Sequence, residues 1–141
     1  IAFSWGVPTA WVASGGSWDL GIFFIYIGTI FWVIGYDTIY GCQDRYEDKL
    51  FGVNNTAVTT EKYLVNFVKI TYFISTIFFL FAGIYLKLHI GWFMGLLFMS
   101  AHLFLQSLKL KKINRNLSLK IFQSNKIAGS FLVIGSISKF L

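Results

Sequence analysis

Long apolar stretches with almost no charge recur along this chain, and they constrain its fold more than any other feature. They lie at 20–36, 70–86 and 90–108, and each is close to the roughly 17 to 25 residues that a helix needs to cross about 30 Å of hydrocarbon. A shorter stretch at 127–137 reaches that length if it extends from 119 to 141. The sequence therefore predicts an all-α, integral membrane helical bundle with about four full spanning helices.

Composition supports a membrane protein over a soluble one. Apolar residues make up 56% of the chain and charged residues 13%, whereas a soluble domain carries roughly 25% charged residues. We predict helices at about 20–40, 63–86, 90–108 and 119–140. Residues 1–13 are also apolar and are predicted to form the end of a further helix, so we expect the chain to be the C-terminal part of a longer protein.

The basic residues are distributed unequally between the two predicted sides of the membrane. With the helices above, one side carries Arg45, Lys49, Lys62, Lys69, Lys109, Lys111, Lys112, Arg115, Lys120 and Lys126, and the other carries Lys87 and Lys139. An excess of Lys and Arg marks the side that is not translocated, so the first side is predicted to face the cytoplasm, or the matrix in an organelle. This topology accounts for the net charge of +6 without a nucleic-acid partner.

Three aspartates follow the first full span at a spacing typical of one helix face. Asp37, Asp44 and Asp48 lie at i, i+7 and i+11, and on one continuous helix they would fall within about 20° of a common line. Carboxylates this close to hydrocarbon are costly unless they are paired or bind a cation. The pattern predicts a cation site at the cytoplasmic end of this helix.

The chemistry that suits this site is the binding of a metal and a diphosphate. Mg²⁺ is normally held by one or two carboxylates together with phosphate oxygens, and Asp44 and Asp48 are one helical turn apart. Arg45, Lys49 and Lys62 are close enough in sequence to meet the remaining phosphate charge.

A diphosphate that is bound through a metal is also a better leaving group, because the metal stabilises the charge on the departing oxygen. If the diphosphate is attached to an allylic lipid, its departure produces a carbocation. The ring faces of Tyr36 and Tyr40 could stabilise that cation.

These residues resemble a known family. Residues 36–40 and 44–48, followed by Gly52-Val53 and Thr56-Ala57, closely resemble the second aspartate-rich motif of UbiA-type intramembrane prenyltransferases. The closest resemblance is to the 4-hydroxybenzoate polyprenyltransferase branch of ubiquinone biosynthesis, and residues 3–8 and 122–129 are similar to flanking stretches of that branch. The resemblance implies a bundle of about nine spans in a bacterial inner membrane, in which two aspartate motifs face each other across a central cavity.

The resemblance also implies roles for individual residues. Asp44 and Asp48 would bind Mg²⁺ and, through it, polyprenyl diphosphate, with Arg45 and Lys49 as further phosphate contacts. Asp37, together with Tyr36 and Tyr40, would orient the aromatic acceptor or accept the proton that its ring loses. The implied reaction joins the polyprenyl chain to the ring carbon next to the phenol of 4-hydroxybenzoate.

The chain departs from the family pattern in two ways. The first aspartate motif has no match, because the only acid outside 37–61 is Asp19; we therefore expect the chain alone to be inactive. Asn54-Asn55 stands where the family generally has Lys-Ser, which removes one phosphate or loop contact for which Lys49 or Lys62 could compensate.

Other interpretations of the same residues remain open at this point. The acceptor could be another ring, such as a naphthoate or a haem or chlorophyll precursor. The acidic stripe could instead line the path of a cation transporter. Tyr36 and Tyr40 could be interfacial anchors, and Cys42 is predicted to be a small buried side chain rather than a nucleophile.

Overall fold

A computed structural model describes residues 2–112 and 114–138 of the 141-residue chain. Eight α-helices occur in these residues: α1 (Gly6–Ala13), α2 (Leu20–Gly41), α3 (Arg45–Leu50), α4 (Thr56–Thr59), α5 (Leu64–Tyr85), α6 (Ile90–Lys109), α7 (Arg115–Gln123) and α8 (Asn125–Ile137). Short 3₁₀ turns at Ala2–Trp5, Glu61–Tyr63 and Leu110–Lys112 flank α1, α5 and α6. The described residues contain no strand, which confirms the predicted all-α class.

Three of the four predicted spanning helices occur as single long helices. Helices α2, α5 and α6 begin and end within one residue of the predicted bounds. In the described part of the chain, 3 helices are long and apolar enough to cross a membrane, as expected of an integral membrane protein. Asp19, the only acid outside 37–61, caps α2, because its Oδ1 accepts a hydrogen bond of 3.0 Å from the Ile22 backbone N–H.

Helices α2 and α5 pack as an antiparallel pair through glycines that recur every seven residues. A methyl group at Gly21, Gly28 or Gly35 would meet the side chain of Leu86, Phe79 or Tyr72 respectively. The partners are also seven residues apart, with Tyr72 and Phe79 in α5 and Leu86 just after it. They come in the reverse order along the chain, as expected for antiparallel helices. A seven-residue repeat keeps one seam in contact along the full length of two helices, so the pairing is continuous across the apolar segment.

Helices α6 and α8 approach even more closely. A methyl group at Gly91 would lie 2.6 Å from the Gly135 carbonyl oxygen, and one at Gly95 would overlap the Phe131 carbonyl and lie 3.3 Å from the Gly135 Cα. Gly91 and Gly95 form the small-xxx-small spacing that allows helix backbones to touch within a membrane. Backbone contact therefore fixes the position of α8.

The predicted continuous helix at 119–140 is instead divided, and residues 139–140 lie outside the described residues. Helices α7 and α8 meet at Ser124, where side chains also contact backbone carbonyls of the segment. Asn125 Nδ2 donates to the Phe122 carbonyl at 3.2 Å, and His102 Nε2 lies 3.2 Å from the Ser124 carbonyl. Such side-chain bonds compete with the helix ladder, which accounts for an interruption of the helix at Ser124 in a segment without proline.

The C-terminal ends of α2 and α6 and the N-terminal end of α5 meet α3 and α7 at one end of the bundle, which we call the basic end. Ser118 of α7 is buried there and donates a hydrogen bond to the Ile39 carbonyl near the end of α2. At the opposite end, His89 Nε2 lies 3.2 Å from the Ser136 carbonyl. The aspartate region and the cationic residues that hydropathy placed on one side therefore share one end of the bundle.

Candidate functional site

The three aspartates do not form one stripe. Helix α2 ends at Gly41, the chain turns through Cys42 and Gln43, and α3 begins at Arg45, so Asp37 lies on a different helix from Asp48. The expectation of a single continuous helix face is wrong, because the turn changes the direction of the chain. Among the described residues, no group of three or more His, Cys, Asp or Glu side chains could hold a metal ion.

Asp44 and Asp48 do share one face, at the start of α3. The Asp48 backbone N–H donates to the Asp44 carbonyl at 2.8 Å, which places the two residues one turn apart. Arg115 of α7 lies 3.4 Å from Asp44 Oδ1 and 3.6 Å from Glu47 Oε1. This contact joins α3 to the basic segment between α6 and α8, which the sequence indicates only as a topology signal.

Asn55 gives a structural role to one of the departures from the family pattern. Gly52 adopts a φ of +69°, a conformation that suits glycine, and turns the chain back after α3. Asn55 Oδ1 then accepts from the Val58 backbone N–H at 2.8 Å, which caps α4. Asn55 Nδ2 donates to Asp48 Oδ2, so this residue supports the carboxylate directly.

The predicted phosphate-binding cations lie on the neighbouring face of α3. Lys49 Nζ forms an ion pair with Glu61 Oε2, and Arg45 Nε lies 3.7 Å from Glu61 Oε1. Glu61 belongs to the 3₁₀ turn before α5 and was not among the predicted site residues. An incoming phosphate would therefore compete with Glu61 for both cations.

Lys62, the third predicted cation, lines a polar hollow of about 400 Å³. Arg45, Glu61 and Lys111 line the same hollow. Asp44 and Asp48 are not among its lining residues. Of the three predicted cations, Arg45 and Lys62 therefore line one hollow beside the N-terminal end of α5 and the C-terminal end of α6, and Lys49 does not line it.

Tyr36 and Tyr40 lie in a cluster of aromatic rings beside α7. Their ring centroids are 5.7 Å and 4.8 Å from that of Phe122, and Trp32 makes an edge contact with Tyr36 at 5.9 Å. Tyr40 is 43% exposed, and Asp37 between them is also exposed. These rings therefore form a partly open aromatic surface next to a carboxylate.

A polar network lies behind this surface and was missed in the sequence. Trp32 Nε1 donates to Asn125 Oδ1 at 3.0 Å, and buried Gln106 donates through Nε2 to Ser124 Oγ at 2.8 Å. The Tyr72 hydroxyl donates to Gln106 Oε1 at 3.1 Å. The available signal was the presence of amide side chains in otherwise apolar spans, where polar groups need partners.

Cys42 is buried as predicted, with 8% of its surface exposed. Its Sγ donates to the Thr38 carbonyl at 3.4 Å. Burial raises the pKa of the Cys42 thiol, an effect that Arg45 opposes and Glu61 reinforces. The neutral thiol is therefore the form present near pH 7, which fits a structural residue.

This assignment can be tested by alkylation, because Cys42 is the only cysteine in the chain. In the folded protein, iodoacetamide should label it more slowly than in denaturing detergent, since the thiolate is the reactive form and burial both raises the pKa of the thiol and shields it from the reagent. The labelling rate should rise only above the pH at which a free thiol titrates. Equal rates in the folded and denatured states would contradict the buried position.

The donor set at α3 fits a hard divalent cation. One oxygen of each carboxylate is engaged, by Arg115 in Asp44 and by Asn55 in Asp48. The other two oxygens, Asp44 Oδ2 and Asp48 Oδ1, form no hydrogen bond or ion pair with the rest of the described chain. Two such carboxylates are the usual protein contribution to a Mg²⁺ site that phosphate oxygens complete.

Curated relatives named 4-hydroxybenzoate octaprenyltransferase are similar to nearly the whole chain. The protein of Pseudomonas putida is 34% identical over 135 residues, which are 95% of this chain and 45% of that protein. The protein of Polynucleobacter necessarius is 34% identical over 139 residues, 96% of this chain and 47% of that protein. In Vibrio campbellii the identity is 26% over 140 residues, 99% of this chain and 49% of that protein. The chain thus spans about half the length of the curated relatives it matches.

No solved structure matches the chain. The match to a family model is nevertheless extensive, because the model described as the UbiA prenyltransferase family covers residues 1–132. This range contains all three aspartates, the aromatic surface and most of α8. The chain belongs to the UbiA prenyltransferase family.

Proposed function

We propose that this chain is part of a membrane enzyme that transfers a polyprenyl group from polyprenyl diphosphate to the ring of 4-hydroxybenzoate. The observation that carries the proposal is the shared name of relatives that align with 95% to 99% of the chain. Because the chain spans about half of their length, the activity is proposed for a protein of that length that contains it. The 141-residue chain alone is expected to be inactive.

In the proposed reaction, the bond between the prenyl carbon and the diphosphate oxygen breaks, and diphosphate leaves with the electron pair. A ring carbon next to the phenol then bonds to the prenyl carbon, and the ring loses a proton to a base. Mg²⁺ held by Asp44 and Asp48 would supply positive charge for the departing diphosphate. Arg45 and Lys49 would exchange Glu61 for phosphate oxygens.

The aromatic surface on α2 supports the second half of this reaction. The ring faces of Tyr36 and Tyr40 offer negative charge density to an allylic cation. Asp37 lies between them in sequence and is exposed, so its carboxylate would orient the acceptor or accept the ring proton. The basic end would then be at the cytoplasmic face of a bacterial inner membrane.

A transfer assay tests the proposal. Membranes that contain the longer protein should convert labelled 4-hydroxybenzoate and farnesyl diphosphate into a ring-prenylated product when Mg²⁺ is present. Membranes that contain only the 141-residue chain should give none, and EDTA should abolish the reaction.

Two results would contradict the proposal. Transfer to dihydroxynaphthoate but not to 4-hydroxybenzoate would assign another acceptor. Cation flux through liposomes without any transfer would assign a transporter.

A further inference from the structure

An apolar groove of about 680 Å³ runs between α5 and α6. Its walls include Phe73 and Phe104, which are 67% and 57% exposed, and its floor includes Tyr72 and Leu103, which are buried. This volume lies within the range of small-molecule sites, which are mostly apolar. The groove therefore has the size and the chemistry to hold acyl chains.

The polar hollow lined by Lys62 and Lys111 continues this groove towards the basic end. On α5, Asn66 lines the hollow and Lys69 lines the groove, and residues three apart are neighbours on a helix surface. On the other side, Ser107 lines the groove and Leu110 the hollow. The two cavities are consecutive parts of one seam, which we call the α5–α6 seam.

Charge within the seam is strongly positive where the apolar part begins. Arg45, Lys62 and Lys111 line the hollow with a single acid, Glu61. Lys69 adds a fourth cation at the start of the groove. A ligand that fills the seam should therefore be anionic at one end and apolar along the rest.

Lys69 is an unusual residue for a groove wall. It lies about 7.5 Å along α5 from Leu64, at 1.5 Å per residue, and its Nζ is 5.8 Å from the centre of the Phe104 ring. Within the described residues it forms no ion pair. A lysine at this depth keeps its charge near the membrane interface by extending towards it, and the hollow lies on that side of Lys69, beside Leu64 and Asn66.

We propose that the α5–α6 seam binds an anionic phospholipid, with its phosphate between Lys69, Lys62 and Lys111 and its acyl chains in the apolar groove. Free phosphate would fill the hollow and leave the groove exposed. A prenyl diphosphate has both parts, but Asp44 and Asp48 line neither cavity. A phospholipid matches the seam without a metal, and the seam shares Arg45 and Lys62, but not Asp44 and Asp48, with the proposed transferase site.

Lipid retention by the purified longer protein that contains this chain tests the proposal. In native mass spectrometry from detergent, that protein should retain phosphatidylglycerol in preference to phosphatidylcholine with the same acyl chains. In the double variant Lys69→Met/Lys111→Gln, the preference for phosphatidylglycerol should fall about fivefold for each lysine removed. This is the usual contribution of one basic residue near anionic lipid. Lys69→Arg/Lys111→Arg should retain the preference.

A matched control removes the same charge elsewhere at the basic end. Lys120→Met/Lys126→Gln changes two exposed lysines of α7 and α8 that line neither cavity, and this variant should retain the preference of the unchanged chain. Arg45 and Lys62 remain unchanged in all variants because both are predicted contacts of the transferase site. An equal loss in the control would show general charge attraction and would overturn the proposal.

Filling the groove distinguishes binding of the headgroup alone from binding that also places the acyl chains in the groove. Ala101 is exposed and lines the groove, so Ala101→Trp should reduce retention of both lipids without a change in charge, whereas Ala10→Trp on α1 should not. Unchanged retention in Ala101→Trp would exclude the groove as the acyl site. Two competition results would also overturn the proposal. One is displacement of bound phosphatidylglycerol by inorganic phosphate. The other is displacement, in the presence of EDTA, by a lower concentration of farnesyl diphosphate than of added phosphatidylglycerol.

Discussion

Replacing Asp44 and Asp48 together by asparagine is expected to reduce prenyl transfer by the longer protein at least roughly 100-fold, the usual scale for losing one preorganised charge contact in a reaction. Asparagine keeps the size of each side chain and the hydrogen bond from Asn55 to residue 48. It removes the negative charge that a divalent cation requires. The measurement is the initial rate of product formation at saturating 4-hydroxybenzoate.

The matched control for this variant is Glu47→Gln. Glu47 lies on the same short helix, is exposed, and contacts the same Arg115 at 3.6 Å. Its replacement removes one carboxylate from α3 without touching the proposed metal ligands, so transfer should stay within about twofold, since a surface ion pair contributes little. A comparable loss in both variants would indicate that α3 needs only its overall charge.

The division of the aspartates between two helices makes Asp37 separable from the metal. Because Asp37 lies on α2, Asp37→Asn should alter the Michaelis constant for 4-hydroxybenzoate or the rate of proton loss, and extra Mg²⁺ should not restore activity. The single variant Asp48→Asn should recover in part as Mg²⁺ is raised. Recovery of both variants with Mg²⁺ would place all three carboxylates at one ion.

Replacing Gly95 by leucine is expected to be strongly destabilising. Any Cβ at this position overlaps the Phe131 carbonyl, and backbone atoms cannot move aside as a flexible side chain can. Overpacking of this kind usually costs about 1–3 kcal/mol, sometimes more, out of a total stability of about 5–15 kcal/mol. Helices α6 and α8 should separate, and the thermal midpoint in detergent should fall by several degrees.

A graded set of glycine variants serves as the control. Gly28→Ala places its methyl group 3.1 Å from the Phe79 ring, which can adjust, so the thermal midpoint should fall less than in Gly95→Ala. Gly6→Ala meets no atom within 4 Å and should be neutral or slightly stabilising, since alanine favours a helix. A similar midpoint for Gly95→Ala and Gly6→Ala would contradict the close contact of α6 with α8.

Local composition was sufficient to locate the long helices. The stretches that became α2, α5 and α6 are apolar over their whole length, so burial in lipid and internal backbone bonding favour the same helix at nearly every residue. Gly91 and Gly95 also had the spacing of a close helix contact, although the sequence did not indicate which helix they would meet. The sidedness of the basic residues likewise depends only on where each helix begins and ends.

The candidate site depended on partners that are distant in sequence. Arg115 is 71 residues from the Asp44 that it contacts, and Glu61 is 12 residues from Lys49. The end of α2 at Gly41 could not be predicted from periodicity, because Asp37, Asp44 and Asp48 suit a continuous helix equally well. The turn after Gly41 and the bonds that α3 makes with α7 and the Glu61 turn decide which carboxylates share a face.

The sequence by itself determined that this is a membrane protein, where its long helices lie and which family it belongs to, because these properties depend on hydropathy and on residues close together in the chain. Only the tertiary structure decided that α7 and α8 are divided and that Asp37 is separate from Asp44 and Asp48. At Ser124, Gln106 and His102 of α6 contact the hydroxyl and carbonyl oxygens, and the ion pairs of α3 depend on Arg115 and Glu61. Such contacts form only when helices that are distant in sequence pack side by side, so no local pattern specifies them.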